Sequence, residues 1–290
     1  MELQVNNVFK HIAIAGLGLI GGSLAKTLRE RNLVDKITGY GRNPERMEKA
    51  RQMGLIDEFF IGFENGLDDV DLIVIGTPVR TIVRNARELL PYVRPGTVVT
   101  DVGSVKGPIT DGIEPHVPDG CFFIGGHPIA GTENSGFEHA LSDLFQDRVC
   151  VLTPTAQTDQ HELDRLGRFW EMVGSRVIRM DVDSHDTIFA AISHLPHMVA
   201  FSLVNALVDM KDFGDNILQY SAGGFKDFTR IAASDPVMWK DIALMNRDNI
   251  ITVLDRFEHA LSVLKDAIAR KDEHEIEKLF ERSRDTRRAI

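Results

Sequence analysis

Residues 16–23, Gly-Leu-Gly-Leu-Ile-Gly-Gly-Ser, follow directly on the apolar run His11–Ala15, and this junction limits the possible fold more than any other part of the chain. Glycine at 16, 18 and 21 has a mechanical reading. Gly16 makes a tight turn, Gly18 lets backbone approach a bound pyrophosphate, and Gly21 lets a helix pack closely on the strand. Exposed N–H groups at the helix start then hold the anion, which places Leu19 and Ile20 among the binding positions. Glycine can serve packing alone at such turns, but here the chain alternates correctly afterwards. Runs rich in valine and isoleucine at His11–Ala15, Lys36–Tyr40, Leu72–Ile75, 97–100, 121–124 and 148–152 are separated by helical-period segments over 24–31, 44–53 and 79–90. That pattern predicts an α/β chain whose N-terminal part is a doubly wound parallel sheet. One more helix over 161–173 and a short strand over 176–180 complete it, so the expected domains are 1–182 and 183–290.

After Ser184 the valine-rich runs stop and helix is expected to the end of the chain. From residue 235 to 269 apolar residues recur at Trp239, Ile242, Ile250, Val253, Phe257, Leu261, Leu264 and Ile268, one stripe of a single helix with Asp235 as N-cap and Pro236 in the first turn. A helix of ~35 residues needs neighbours along its length, and a second copy of the chain would supply them; a monomeric bundle is the alternative. The formal charge of −10 over 290 residues disfavours nucleic acid and anionic membrane as partners, so an anionic substrate needs its own arginine or lysine. Two cysteines in apolar runs fit a reducing, cytoplasmic compartment. No basic leader precedes an apolar segment, and no apolar stretch is expected to approach the ~18 residues of a membrane span.

The loops at the carboxyl ends of strands carry the remaining signals, because ligands of open α/β sheets bind there. Gly76-Thr77-Pro78 and Asp101-Val102-Gly103-Ser104-Val105-Lys106 are two of these loops, with Thr77, Pro78 and Gly103 as candidate cofactor contacts. The second strand ends Gly39-Tyr40-Gly41-Arg42-Asn43, without the carboxylate that usually bonds the ribose of NAD. Small Gly41 followed by Arg42 admits a 2′-phosphate and leans toward NADP, with NAD still possible. His127, within Gly125-Gly126-His127-Pro128-Ile129-Ala130-Gly131-Thr132-Glu133, has little room to pack into a core and reads as functional. Ser193-His194-Leu195-Pro196-His197 places a proline inside helix, which predicts a kink that turns histidines or a freed carbonyl toward a cavity, with His194 itself read as a helix histidine whose hydrogen bonds are satisfied. No third ligand follows by spacing, so no metal is expected.

GLGLIGGS, DVGSVK, GGHPIAGTE, SHLPH and GGFKDFTRIA, in that order between about residues 12 and 246, resemble the prephenate dehydrogenase family of tyrosine biosynthesis. The resemblance implies an N-terminal Rossmann domain, a C-terminal helical dimerisation domain, and NAD(P)-dependent oxidative decarboxylation of prephenate, of arogenate, or of both. It implies His127 as the base for the ring hydroxyl, Ser104 as its support through a hydrogen bond, and Arg230 as the partner of a substrate carboxylate, a task a guanidinium suits. His197 is implied to contact the substrate side chain, with Thr132, Glu133 and Asp227 near the pocket mouth. Many members carry aspartate where this chain has Gly41, which leaves NAD and NADP both open. A chain ending at Ile290 is expected to lack the C-terminal regulatory domain some members have. The competing expectations are a β-hydroxyacid dehydrogenase working through a lysine, and a dinucleotide-sensing protein without turnover.

Overall fold

The structure, a computed structural model, describes residues 7–132, 134–210 and 217–290. Eight strands form one sheet: β1 (His11–Ala15), β2 (Lys36–Tyr40), β3 (Glu58–Phe60), β4 (Leu72–Ile75), β5 (Val98–Asp101), β6 (Phe122–Pro128), β7 (Val149–Thr153) and β8 (Arg176–Arg179). Their order is β3-β2-β1-β4-β5-β6-β7-β8, so the topological switch between β1 and β4 lies beside the glycine turn. The helices alternating with them are α1 (Leu19–Glu30), α2 (Pro44–Gln52), α3 (Val79–Leu89), α4 (Gly107–Ile113) and α5 (Gln160–Val173). α1, α5 and one face of the sheet share a core that includes Ile12, Ile14, Leu24, Leu28, Leu166 and Trp170. α3, α4 and the other face share a second, with Ile73, Ile75, Ile82, Val99 and Ile109. Each such side chain removed from water contributes roughly 1.5–3 kcal/mol before entropy is counted.

Three expectations for this half are corrected. The sheet is only mostly parallel, since β7 runs antiparallel to β6. Among the described residues the 129–148 connection holds a single turn of 3₁₀ helix, and it returns at the end of the sheet where β6 leaves it, whereas a parallel return needs a full crossover. β3, three half-buried residues at the sheet edge, is too short to show period-two alternation. α1 begins at Leu19 rather than at 24, so Gly21 and Gly22 lie inside it. A Cβ on Gly21 would sit 2.3 Å from the Gly16 carbonyl oxygen, and one on Gly22 would sit 2.6 Å from Cβ of Phe137.

The second half is helical: α6 (Val182–Phe189), a π turn (Ala190–His194), α7 (Leu195–Asp209), α8 (Gly223–Thr229), α9 (Pro236–Met245), α10 (Arg247–Ala269) and α11 (Glu273–Arg288). α6, the π turn and α7 form one continuous helix, Val182–Asp209, of 28 residues with a mean hydropathy of 1.5 in its most apolar 18-residue window. By length and composition it could cross a membrane, which corrects the expectation that no such stretch exists; its polar residues are instead tied to the sheet half, as described below. The π turn answers Pro196, which lacks an N–H: Leu195 N–H reaches back to the Ala190 carbonyl, and His197 Nδ1–H donates to the Ser193 carbonyl at 3.0 Å.

The expected single helix over 235–269 is two helices. Asp235 caps the first as expected, accepting from the amides of Val237 and Met238. The break falls at buried Asn246, whose backbone leaves helical geometry. Its side-chain amide donates to the Asp186 carbonyl at 2.8 Å and to His194 Nδ1 at 3.2 Å. His194 Nδ1 is therefore an acceptor, and the ring proton sits on Nε2, which is buried and has no partner among the described residues. That replaces the reading of His194 as a satisfied helix histidine. Burial, only partly opposed by Asp186, holds the His194 pKa down to about 4 from an ordinary 6.5.

Because the unfolded chain binds this proton first, the stability contribution is complete above pH 6.5 and drains as pH falls toward 4, by roughly 3 kcal/mol. Urea unfolding at pH 7 and at pH 4.5 should show that loss, and His194→Gln should flatten it by about one proton's worth.

Candidate active site

A cleft of about 450 Å³ opens where β1, β2 and β4 end, lined by Gly16, Gly18, Gly41, Arg42, Thr77 and Pro78 among others. Gly16 has φ +100, a conformation that side chains resist, and a Cβ there would strike Thr77 at 2.7 Å. Gly18 has open space where its side chain would be. It is the N-cap of α1, with no side-chain cap and no acidic residue in the first turn, so the amides at Leu19 and Ile20 head a helix whose positive end is uncompensated. These features fit a pyrophosphate. At the end of β2, a Cβ on Gly41 would meet Met47 Sδ at 2.3 Å, so a longer side chain requires Met47 to move. Arg42 and Arg46 line this end of the cleft, and Arg46 is held by Glu138 at 3.0 Å. Gly103 does not line the cleft; it is packed against Ile82 and Ile109, and its amide donates to Asp101 Oδ2 at 2.8 Å.

β6 brings His127 to the next crevice. Gly125 and Gly126 let the strand pass close to its neighbours: a Cβ on the first would meet Thr153 Oγ1 at 2.5 Å, and on the second the Asp101 carbonyl at 2.7 Å. Beneath lies a fully buried ion pair between Lys106 and Asp101, with Lys106 Nζ also donating to the Gly126 carbonyl at 2.7 Å. Burial pushes the Lys106 pKa down, against the pull of Asp101. His127 Nδ1 lies 2.9 Å from His185 Nε2, and His185 Nδ1 lies 2.8 Å from Asp186 Oδ1. Phe189 closes over both rings, 4.8 Å from His127 and 4.5 Å from His185 between centroids. Burial first, then neighbouring His185, Lys106 and His194, holds His127 well below the ordinary histidine range, so the ring is neutral at pH 7.

From the helical half, α7 presents His197, stacked on Trp239 of α9 at 3.6 Å and 20°. Its Nδ1 proton is committed to Ser193, which leaves Nε2 as an acceptor on the neutral ring. Burial lowers its pKa, Ser193 opposes, and the nearby Arg230 guanidinium adds to the lowering. Arg230 follows α8 on a 3₁₀ turn, and both Arg230 and Asp227 are solvent-exposed. Thr132 is exposed, its hydroxyl accepting from the Asn134 amide at 3.2 Å. Ser104 is half-buried on the loop after β5 and makes no hydrogen bond to His127 among the described residues. Glu133 lies outside the described residues.

Sequence reasoning missed His185 and Asp186. Their signal was an adjacent acid and imidazole at the polar head of a helix whose continuation is strongly apolar. It also left the buried partnership of Lys106 with Asp101 unread, although both ends lie in the DVGSVK motif.

The family model described as the prephenate dehydrogenase nucleotide-binding domain matches residues 24–179, and that of the prephenate dehydrogenase dimerization domain matches residues 181–282. The chain is 34% identical over 284 residues to the cyclohexadienyl dehydrogenase of Zymomonas mobilis, covering 98% of this chain and 97% of that one. It is 32% identical to the prephenate dehydrogenase of Bacillus subtilis, covering 98% of this chain and 76% of that one. Among solved structures, the prephenate dehydrogenase of Aquifex aeolicus in complex with hydroxyphenyl propionate and NAD+ superposes with a TM-score of 0.92 at 40% identity, over 100% of both chains. Synechocystis arogenate dehydrogenase gives 0.84 at 32% identity, over 96% of this chain and 99% of that one. Two family models in register with the two halves, together with relatives matched over nearly the whole chain, establish that this chain belongs to the prephenate dehydrogenase family.

Proposed function

We propose that the protein oxidises prephenate to 4-hydroxyphenylpyruvate with loss of carbon dioxide, using NAD or NADP. The observation that carries this reading is the neutral His127 at the carboxyl end of β6, two strands beyond β4 at the dinucleotide cleft and against His185 of the helical half. A bound nicotinamide supplies the hydride acceptor. His127 takes the ring hydroxyl proton at Nε2 as the carbonyl forms. The ring carboxylate then leaves as carbon dioxide, its bonding electrons pass through the ring to the carbonyl oxygen, and that oxygen takes the proton back from His127 to give the phenol. Arg230 holds a carboxylate of the substrate and His197 its side chain, with Thr132, Glu133 and Asp227 at the mouth and Ser104 bonding the hydroxyl once substrate is bound. Gly16, Gly18, Gly21 and the α1 amides hold the pyrophosphate.

A second substrate is favoured by one feature. His197 Nε2 is an acceptor, which suits the ammonium of arogenate, whereas the keto acid of prephenate offers it no donor. The cleft likewise favours acceptance of NADP: no carboxylate stands at the end of β2, and Arg42 lines the cleft with no ion pair among the described residues. The helical half exposes Ile192, Val208, Tyr220, Leu261 and Ile268, each by 54–80%, a surface that suits pairing of two chains through the matched dimerization domain. A cytoplasmic location agrees with two buried, free cysteines.

Following reduced-nicotinamide absorbance with prephenate and with arogenate, each against NAD and NADP, tests the reaction; turnover in none of the four combinations would overturn it. His127→Asn should lower kcat by at least ~100-fold while dinucleotide affinity stays within about threefold. Arg42→Ala should raise KM for NADP about tenfold or more, leaving that for NAD within about threefold. Light scattering should give twice the chain mass of 32.4 kDa at micromolar concentration.

A further inference from the structure

The geometry points to His185 and Asp186 as positioning residues that fix the tautomer of His127 and so decide which of its ring nitrogens is the base. This rests on the reaction proposed above. Asp186 Oδ1 lies 2.8 Å from the Lys106 amide, and Oδ2 lies 2.8 Å from the Gly107 amide. Backbone N–H groups only donate, so both carboxylate oxygens are acceptors. His185 Nδ1, also at Oδ1, must then donate. That makes Nε2 of neutral His185 an acceptor, which His127 meets with Nδ1–H. The lone pair of His127 is left on Nε2.

His185 has 0% of its surface exposed and Asp186 5%, so water has no access to replace either bond. The carboxylate keeps its charge because, although burial raises its pKa, hydrogen bonds from His185 and from the two amides outweigh that effect. The groups whose charges reach the histidine pair are Asp101 and Lys106 from β5 and its following loop, Asp186 beside His185, and His194 from the π turn. Of these Lys106 opposes a cation on His127, and Asp186, acting through His185, supports one. When Nε2 takes the substrate proton, Nδ1 is already donating, so the ring needs neither a flip nor an exchange of protons. A helix that belongs to the second half of the chain thereby sets the protonation state of a base on the sheet.

The test compares His185→Leu, His185→Gln and Asp186→Asn with the natural chain, using steady-state kinetics and the ¹⁵N spectrum of the His127 ring at pH 8. Glutamine keeps an acceptor for His127 and a donor for Asp186; leucine keeps neither. The expected result is a fall in kcat of ~100-fold or more for His185→Leu and Asp186→Asn, with KM and dinucleotide affinity within about threefold, and His185→Gln within about tenfold of the natural chain. The natural His127 should show an unprotonated Nε2, and Asp186→Asn should mix in the other tautomer. A protonated Nε2 in the natural chain overturns the proposal, as does His185→Gln falling as far as folded His185→Leu. The ring spectrum needs no turnover, so it decides the tautomer even if the leucine variant fails to fold. It also separates failure of this proposal from failure of the substrate assignment.

Discussion

The carboxylate of Asp186 takes hydrogen bonds from the amides of Lys106 and Gly107, about eighty residues earlier in the chain, and from its own neighbour His185. Those amides open α4 after the loop that leaves β5, so one anion joins a Rossmann loop to the first helix of the second half. Its placement also completes the first turn of α4, whose N-cap Lys106 supplies no side-chain cap of its own. Lys106, fixed at its backbone by Asp186, turns its side chain inward to pair with Asp101 and to hold the Gly126 carbonyl. His127 is the next residue. Buried charges are tolerable only when paired and fully hydrogen-bonded, and here each bond of the network also positions a part of the site.

The network reaches outward as well. Asn246 interrupts what its apolar stripe presents as one long helix, because its amide is drawn to the Asp186 carbonyl and to His194. α9 is thereby free to lay Trp239 and Ile242 on the sheet's second core and to bring Trp239 under His197. An ion-pair distance of 3.7 Å between Arg80 of α3 and Asp241 of α9 adds to that join. The far half of the stripe, Leu261 and Ile268, stays about half exposed.

Much of this was legible in the residues. The glycine turn, the alternation of strands and helices, and the Asp235-Pro236 helix start depend on neighbours in sequence, and local chemistry suffices to read them. His127 announced itself through the glycines that leave it no core to fill. The direction of β7 depends on where a loop travels, and the break at Asn246 depends on two residues more than fifty positions away, so neither has a local signal. The same holds for His185 and Asp186, whose partners lie on β6 and after β5. Local patterns single out His127; only the tertiary contacts show that it meets His185.

The central claim is that His127 is a neutral base at physiological pH, oriented through His185 by an ionised Asp186. The pH dependence of kcat/KM tests it most directly, because that ratio follows the protonation of the free protein. A base held below the ordinary histidine range predicts a rate that stays flat from pH 8 down to 6.5, with any acid limb below that. A limb centred at pH 7 or above would contradict the account.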